Sequence, residues 1–394
     1  MMHLFINSLS ASSGGGLTYI RNVIPRLAAR ADVRVTVALG RDVRQGIREF
    51  NSLEFLELDC SPIRRVWYEQ FVLPAVIQRS GANVLLSTGN FAVRYSPVPQ
   101  ILLSRNSIYT SHDFYRDVLA RREYRLWLAT HLGALLAKRS LHWADVTAAP
   151  SQSYADELRR WAGLSVCAVH HGFEREAFFE ETSPLPADIE KSLNDAEGAF
   201  RLLFVSHYNY YRNFETLIRA LPLLRNLVSG RPVRLFLTCK LRAGENPGVY
   251  DPKRAANLVK ELGVEDMMVG LGSIPYHQLH HLYRRCHLYV TPAYTETFAH
   301  PLVEAMACGL PVVASDLGVH REICGDAALY FPRFAPEALA ERIAQLAQSS
   351  ELALKLAAAG RDRAKEFSWK AHVEQILQLA QTLLDAKAHG RSAR

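Results

Sequence analysis

Two acids stand close together in an apolar stretch, YTETFAHPLVEAMACGLPVVASD, which runs from Tyr294 to Asp316. They are Glu296 and Glu304, and His300, Pro301 and Gly309 lie between or just after them. The run before them, LYVTPA (288–293), reads as a strand. Pro301 and Gly309 stand where Pro opens and Gly closes a helix, so a short helix is predicted over 301–309. Such a strand–loop–helix corner aims the backbone N–H groups of Phe298, Ala299 and His300 along a helix N-terminus, a ready seat for an anion. Carboxylates beside an anion need a reason, because like charges repel. Sugar hydroxyls supply one, since an ionised carboxylate accepts hydrogen bonds from vicinal O–H groups. A ribose and a hexose on either side of a diphosphate would occupy both acids and the amides, which points to a nucleotide-sugar. The same spacing also fits a plainer arrangement, with Glu304 favouring the helix dipole and Glu296 solvated in a loop.

The elements that must position these residues alternate. HLFIN (3–7), a loop SLSASSGGG, LTYIRNVIPRLAARA and VRVTVAL (33–39) read as strand, Gly-rich turn, helix and strand, a βαβ start that builds parallel sheets. Further strands are expected at 83–88, 100–104, 146–151 and 167–172, with helices at 63–79, 113–142 and 152–162. The polar, proline-bearing segment 181–199 reads as a linker. The alternation then restarts, with strands at 201–208, 233–240, 267–272, 288–293 and 311–315 and a helical tail over 336–385, broken near 366–370. The organisation expected is a Rossmann-like domain over 1–180, a linker over 181–199, a second such domain over 200–366, and a C-terminal helix over 367–394 packing back toward the first domain.

Bulk properties narrow the class. The 394 residues are 49% hydrophobic and 22% charged, enough to build two cores and too apolar for disorder. The net charge of +7 suits phosphorylated substrates or an anionic membrane surface, or is only solubility charge. No long Lys/Arg run suggests a nucleic-acid arm. Six scattered cysteines without a CxxC pair fit a reduced, cytoplasmic compartment. The N-terminus lacks the basic start and apolar length of a signal peptide, and no run approaches the ~20 apolar residues of a spanning helix. RREYRLWLATHLGALLAKRSLH (121–142) has basic ends and an aromatic-aliphatic middle, so it reads as a packed helix or as peripheral contact with the inner face of a membrane. The sequence contains no Asp-x-Asp, and neither His170/His171 nor His280/His281 has metal-ligand spacing, so no metal or other cofactor is expected. The loop SSGGGLTY (12–19) is not GxGxxG, which weakens a nicotinamide-dependent reading.

The Glu–seven residues–Glu spacing, the EAMACGLPVVAS run and the later GDAALYF (325–331) resemble the family four retaining glycosyltransferases of the GT-B fold, the glycosyl transferases group 1. The resemblance spans the second half of the chain and reaches the first half only in outline. It implies an α/β fold of two facing Rossmann-like domains with parallel sheets and a deep cleft between them. It implies a metal-independent transfer of a hexose from a nucleotide-diphosphate donor, UDP or GDP, to a hydroxyl of a glycan or lipid-linked saccharide, as in polysaccharide or O-antigen assembly. It assigns Glu304 to the ribose, Glu296 to the donor sugar, and the amides of Phe298 and Ala299 to the diphosphate, with Ala299 standing where many relatives carry Gly. The family's basic pair falls on His207 and Arg212, the latter able to grip a diphosphate bidentately. Lys240, at another strand end, is a third candidate cation. Gly15 and Gly16 would let the backbone approach donor and acceptor closely. Where relatives carry an N-domain histidine this chain has Arg105 and Asn106, with His112 shortly after, so Asn106, His112 or neither takes its sugar-contact role. A sugar-nucleotide epimerase on the same fold, or a silent nucleotide-sugar-binding subunit, remains open beside the transferase.

Overall fold

The computed structural model describes all residues except 12, 13, 46, 48, 49, 51, 60, 247 and 391–394. Ser12 and Ser13 of the Gly-rich loop, and Cys60, therefore lie outside the described residues. The chain forms two compact units, one of residues 1–110, 124–172 and 368–394, the other of residues 111–123 and 173–367.

The first unit carries a seven-stranded parallel sheet of β1 (Met2–Asn7), β2 (Val33–Leu39), β3 (Leu53–Glu57), β4 (Val84–Ser87), β5 (Gln100–Leu103), β6 (Val146–Ala149) and β7 (Cys167–Ala168), in the order β3-β2-β1-β4-β5-β6-β7. Helices cover both faces of a parallel sheet, so its central strands are buried and mostly apolar; β4 and β5 are buried at every position, and their polar ends pair, Ser87 donating to the Gln100 side chain at 3.0 Å. The helix Trp369–Ala388 completes this core: Trp369, Val373, Ile376, Leu377, Ala380 and Leu383 pack with residues of β1 and β2. Its His372 contacts the carbonyl of His170 through Nδ1 at 2.8 Å and the Tyr19 hydroxyl through Nε2 at 3.1 Å. Gly172 is required here, since a Cβ would come within 1.9 Å of the Trp369 nitrogen.

The second unit carries a six-stranded parallel sheet of β8 (Phe200–Phe204), β9 (Val233–Leu237), β10 (Met268–Gly270), β11 (Leu288–Thr291), β12 (Val312–Ser315) and β13 (Ala328–Phe331), in the order β10-β9-β8-β11-β12-β13. Both sheets reverse strand order at their centres, between β1 and β4 in one and between β8 and β11 in the other. In open α/β sheets that switch point, outside the carboxyl ends of the strands, is where ligands bind.

Three expectations are corrected. The single helix over 113–142 is two helices, His112–Ala120 and Tyr124–Leu141, that belong to different units. Between them Arg122 adopts a left-handed φ of 61°, which ends a helix as glycine usually would. The first helix is fastened into the second unit by Arg333 to Asp113 at 3.0 Å, the Tyr294 hydroxyl to Asp117 at 2.9 Å, and Arg121 to Glu215 at 2.8 Å. The segment read as a linker holds a helix, Ala187–Asn194, whose Ile189 and Leu193 are buried in the second unit. Two strands, β3 and β13, were not expected at all.

Candidate active site

Arg212 and Glu296 come from the loops that follow β8 and β11, the two strands flanking the switch point of the second sheet. After β8 the chain makes a short 3-10 turn, Tyr210–Arg212, and then Asn213 takes a left-handed φ of 56°. The Asn213 side chain donates to the Pro292 carbonyl at 3.0 Å, and the Tyr294 N–H donates to the Tyr211 carbonyl at 3.0 Å. Those two bonds lash the loop of Arg212 to the loop of Glu296. The side chains then meet in a largely buried ion pair, Arg212 Nη1 to Glu296 Oε2, with 21% and 11% of the two side chains exposed.

Charges removed from water cost several kcal/mol unless they are paired and hydrogen-bonded. Burial would raise the Glu296 carboxyl, but Arg212 and the N–H of Thr297, which donates to Glu296 Oε1 at 2.9 Å, outweigh it and hold the group below the ordinary carboxylate range. Burial works against the Arg212 guanidinium too, and Glu296 reverses that and raises it. Both groups are therefore charged at neutral pH. Arg212 keeps capacity in reserve: its Nε is buried without a hydrogen-bond partner.

The helix predicted at 301–309 runs over His300–Ala307. No side chain caps its N-terminus and no acid lies in its first turn, so its dipole and N–H groups favour an external anion. Ala299, at the cap, has φ 64° and ψ 65°. The methyl there is not neutral, because an L-residue pays roughly 1–2 kcal/mol for left-handed backbone that Gly adopts freely. Phe298 is anchored by its ring, which packs edge-on against Phe367 at 5.5 Å, leaving its backbone rather than its side chain at the corner. Glu304, expected as a ribose ligand, is only 4% exposed. The Tyr283 hydroxyl donates to its Oε2 at 2.9 Å, and burial still pushes its carboxyl up to about 7.

The remaining expected residues fall into two groups. In the second unit, His207 is exposed in the loop after β8, its imidazolium disfavoured by partial desolvation and by Arg212. Lys240 follows β9 and pairs with Glu245 at 3.8 Å. His300 opens its helix with its ring 4.9 Å from Phe298, and His112 is exposed at the start of the helix His112–Ala120. Gly15, Gly16 and Asn106 lie in the first unit. There Arg105 donates to the Gly15 carbonyl at 3.2 Å and to the Thr88 carbonyl at 2.6 Å, so it pins the Gly-rich loop to the end of β4. Burial brings its guanidinium down to about 10. Asn106 spends its side chain on the Ile108 N–H at 3.4 Å, capping a turn. Asn106 and His112 thus belong to different units.

Sequence reasoning missed His320, which is fully buried in the helix Gly318–Cys324 after β12 and is felt electrostatically by both Glu296 and Arg212. Its place one strand over from Glu296 was the only available signal. A cavity of about 460 Å³ elsewhere in this unit, lined by Arg121, Tyr210, Arg219, Arg254 and Asn257, includes none of the expected residues.

Residues 13–176 match the family described as Glycosyltransferase Family 4, and residues 187–363 match the glycosyl transferases group 1. The chain belongs to the family four glycosyltransferases. Among this glycosyltransferase's relatives is a D-inositol 3-phosphate glycosyltransferase of Corynebacterium urealyticum, 23% identical over 98% of this chain and 94% of the relative. An O-antigen chain mannosyltransferase B of Escherichia coli is 35% identical over 27% of this chain and 28% of its own length. The GT-B fold is shared with sucrose-phosphate synthase from Thermosynechococcus elongatus, at a TM-score of 0.76 and 22% identity over 98% of this chain and 100% of that one. It is shared too with the Anabaena protein HepE in complex with UDP-glucose, at a TM-score of 0.72 and 18% identity over 97% of this chain and 100% of that one.

Proposed function

We propose that this glycosyltransferase moves a hexose from a nucleoside diphosphate donor to a hydroxyl of a saccharide or lipid-linked saccharide, with retention at the anomeric carbon and without a metal. The carrying observation is the largely buried Arg212–Glu296 pair beside the uncapped N-terminus of the His300–Ala307 helix. Positive and negative groups at one corner suit a ligand that is anionic at one end and rich in hydroxyls at the other. The diphosphate would lie on the Phe298–His300 amides and the reserve nitrogen of Arg212. Its departing charge is then met by dipoles and a cation already in place, usually the largest electrostatic contribution to such a reaction. Glu296 would accept from sugar hydroxyls and hold the anomeric carbon for attack on the face the diphosphate leaves. Glu304 would accept from the ribose. The names of the inositol phosphate and mannosyl relatives, and the UDP-glucose bound by HepE, support a UDP- or GDP-linked hexose. A thermal-shift screen of UDP-, GDP- and dTDP-sugars is expected to raise the unfolding temperature for one base only, since ligand at 100 times its Kd stabilises by about 2.7 kcal/mol. No shift for any of them would sink the donor assignment, and donor turnover without an acceptor would favour an epimerase.

A second feature favours a membrane-linked acceptor. The helix Tyr124–Leu141 faces the wrong way for a soluble surface: Thr130, Ala134 and Ala137 are buried, while Leu128, Leu132, Leu135 and Leu136 are about half exposed. Arg125 and Arg139 lie exposed toward its two ends, matching an anionic lipid surface in charge. Among the described residues no helix is long and apolar enough to cross a membrane. The protein is expected to sediment with phosphatidylglycerol vesicles, less so at high salt, and Leu132→Asp with Leu136→Asp should abolish this. Failure of the wild-type chain to sediment with such vesicles removes the proposal.

A further inference from the structure

The geometry points to His320 as the residue that reads one hydroxyl of the donor sugar, accepting its hydrogen bond at Nε2. This rests on the nucleotide-sugar reading of the same corner.

The tautomer follows from the partners. His320 Nδ1 lies 2.9 Å from the Ser315 carbonyl oxygen, which can only accept. It also lies 3.2 Å from Ser315 Oγ, and that hydroxyl gives its own hydrogen to the Ala293 carbonyl, so it too accepts from the ring. Nδ1 therefore carries the proton. Burial keeps the ring neutral, far below the pH at which a free histidine charges. Nε2 is then a bare lone pair. It is buried, and no group of the protein donates to it. A buried acceptor left in this state bears its desolvation cost with nothing in return, and a ligand donor would recover it.

The placement is built rather than incidental. Ala293 lies three residues before Glu296, and Ser315 is the last residue of β12. The chain Ala293–Ser315–His320 thus locks the imidazole between the end of β11, which leads into the Glu296 loop, and the end of β12. The only other buried orphan nitrogen tied electrostatically to Glu296, among the described residues, is Arg212 Nε, a donor. The corner therefore offers a spare donor for phosphate and a spare acceptor for something else. A diphosphate carries no hydrogen for Nε2 at neutral pH. A hydroxyl does, and the sugar side of the corner is the side of Glu296.

The full-length chain is titrated calorimetrically with UDP, GDP, UDP-glucose and GDP-mannose, for wild type, His320→Asn and His320→Gln. The Asn amide can still donate to Ser315 while removing the distal acceptor; Gln returns an acceptor near the place of Nε2. For the pair that wild type binds, His320→Asn is expected to weaken the nucleotide-sugar about tenfold, the fold-change of one lost hydrogen bond at a buried site. The bare nucleotide should change less than twofold, and His320→Gln should regain part of the loss. Equal weakening of nucleotide and nucleotide-sugar, or no change in either, overturns the assignment. Should the variants not fold, the wild-type chain decides: the nitrogen resonance of Nε2 must move on adding the nucleotide-sugar and not on adding the nucleotide, and a resonance unmoved by both overturns it. A wild-type chain that binds none of the four compounds overturns the donor reading itself.

Discussion

Replacing Glu296 by Gln is expected to lower kcat/KM by about 10²–10³ and to destabilise the ligand-free protein by about 3 kcal/mol. The rate estimate follows from what one preorganised polar group contributes where charge develops, and the stability estimate is the low end of what breaking a buried ion pair costs, because this pair keeps some exposure. Gln keeps the shape and still accepts from the Thr297 N–H, so the change isolates the charge. Without the carboxylate, Arg212 becomes a largely buried cation whose Nη1 faces a neutral amide and whose buried Nε already has no partner. It would then bind a diphosphate more avidly while the sugar lost its acceptor. The signature is therefore a fall in kcat together with nucleotide affinity that is unchanged or tighter. Because the two residues act as one unit, Arg212→Gln on top of Glu296→Gln should cost far less than the sum of the single changes. Steady-state kinetics with the donor found by the thermal-shift screen, and thermal melts of all three variants, check this. Full activity in Glu296→Gln would dismiss the site.

The acid limb of the same experiment has a definite sign. Glu296 is held below the ordinary carboxylate range, so its ionised form contributes stability above that range and loses it only as pH falls through its lowered value. At neutral pH the pair is intact, and Glu296 contributes no titration there.

How much of this was legible in the sequence depends on distance along the chain. The corner around Glu296 was local: strand, loop, Pro301 and Gly309 lie within about 20 residues, and the helix fell where Pro and Gly placed it. The Arg212–Glu296 pair joins residues 84 apart, and only the family resemblance, not periodicity, put them together. Strand β3, LEFLE, escaped because it is the edge strand and is mostly uncovered, so its acids dilute the apolar run that marks a central strand. The switch between units after residue 123 escaped for another reason. Its left-handed turn is made by Arg122, and no Gly or Pro announces it. His320 was invisible because its role comes from a tautomer fixed by Ser315 and a position fixed by the neighbouring strand. The helix Tyr124–Leu141 was half legible. Its basic ends could be read, but the outward turn of its leucines is decided by what the small residues Thr130, Ala134 and Ala137 pack against.

The variant Glu304→Gln is expected to show opposite changes in stability and binding, and this separates a ligand carboxylate from a structural one. The ordinary value for this group is 4.5, and burial raises it in the folded chain to about 7. Between those values the folded chain holds one proton more than the unfolded chain. Stability therefore falls as pH rises through that window, by about 1.4 kcal/mol per pH unit and about 3 kcal/mol in all, and is flat above it. Gln cannot ionise, and its amide oxygen can still accept from the Tyr283 hydroxyl that now donates to Oε2 at 2.9 Å. Its N–H group lacks an evident partner, which costs about 1–3 kcal/mol at every pH. The difference in unfolding temperature, variant minus wild type, should accordingly rise from pH 5 to pH 8, whatever its value at either end. Binding runs the other way. A ribose hydroxyl is best accepted by the ionised carboxylate, so the wild-type chain should bind its nucleotide more tightly as pH rises through about 7. Glu304→Gln should bind at least tenfold more weakly at pH 8, with that pH dependence gone. Thermal melts and calorimetry of both proteins at pH 5, 6, 7 and 8 measure the two slopes. A variant that loses the stability slope but keeps wild-type binding would make Glu304 a buried acid held by Tyr283 alone, with the ribose seated elsewhere.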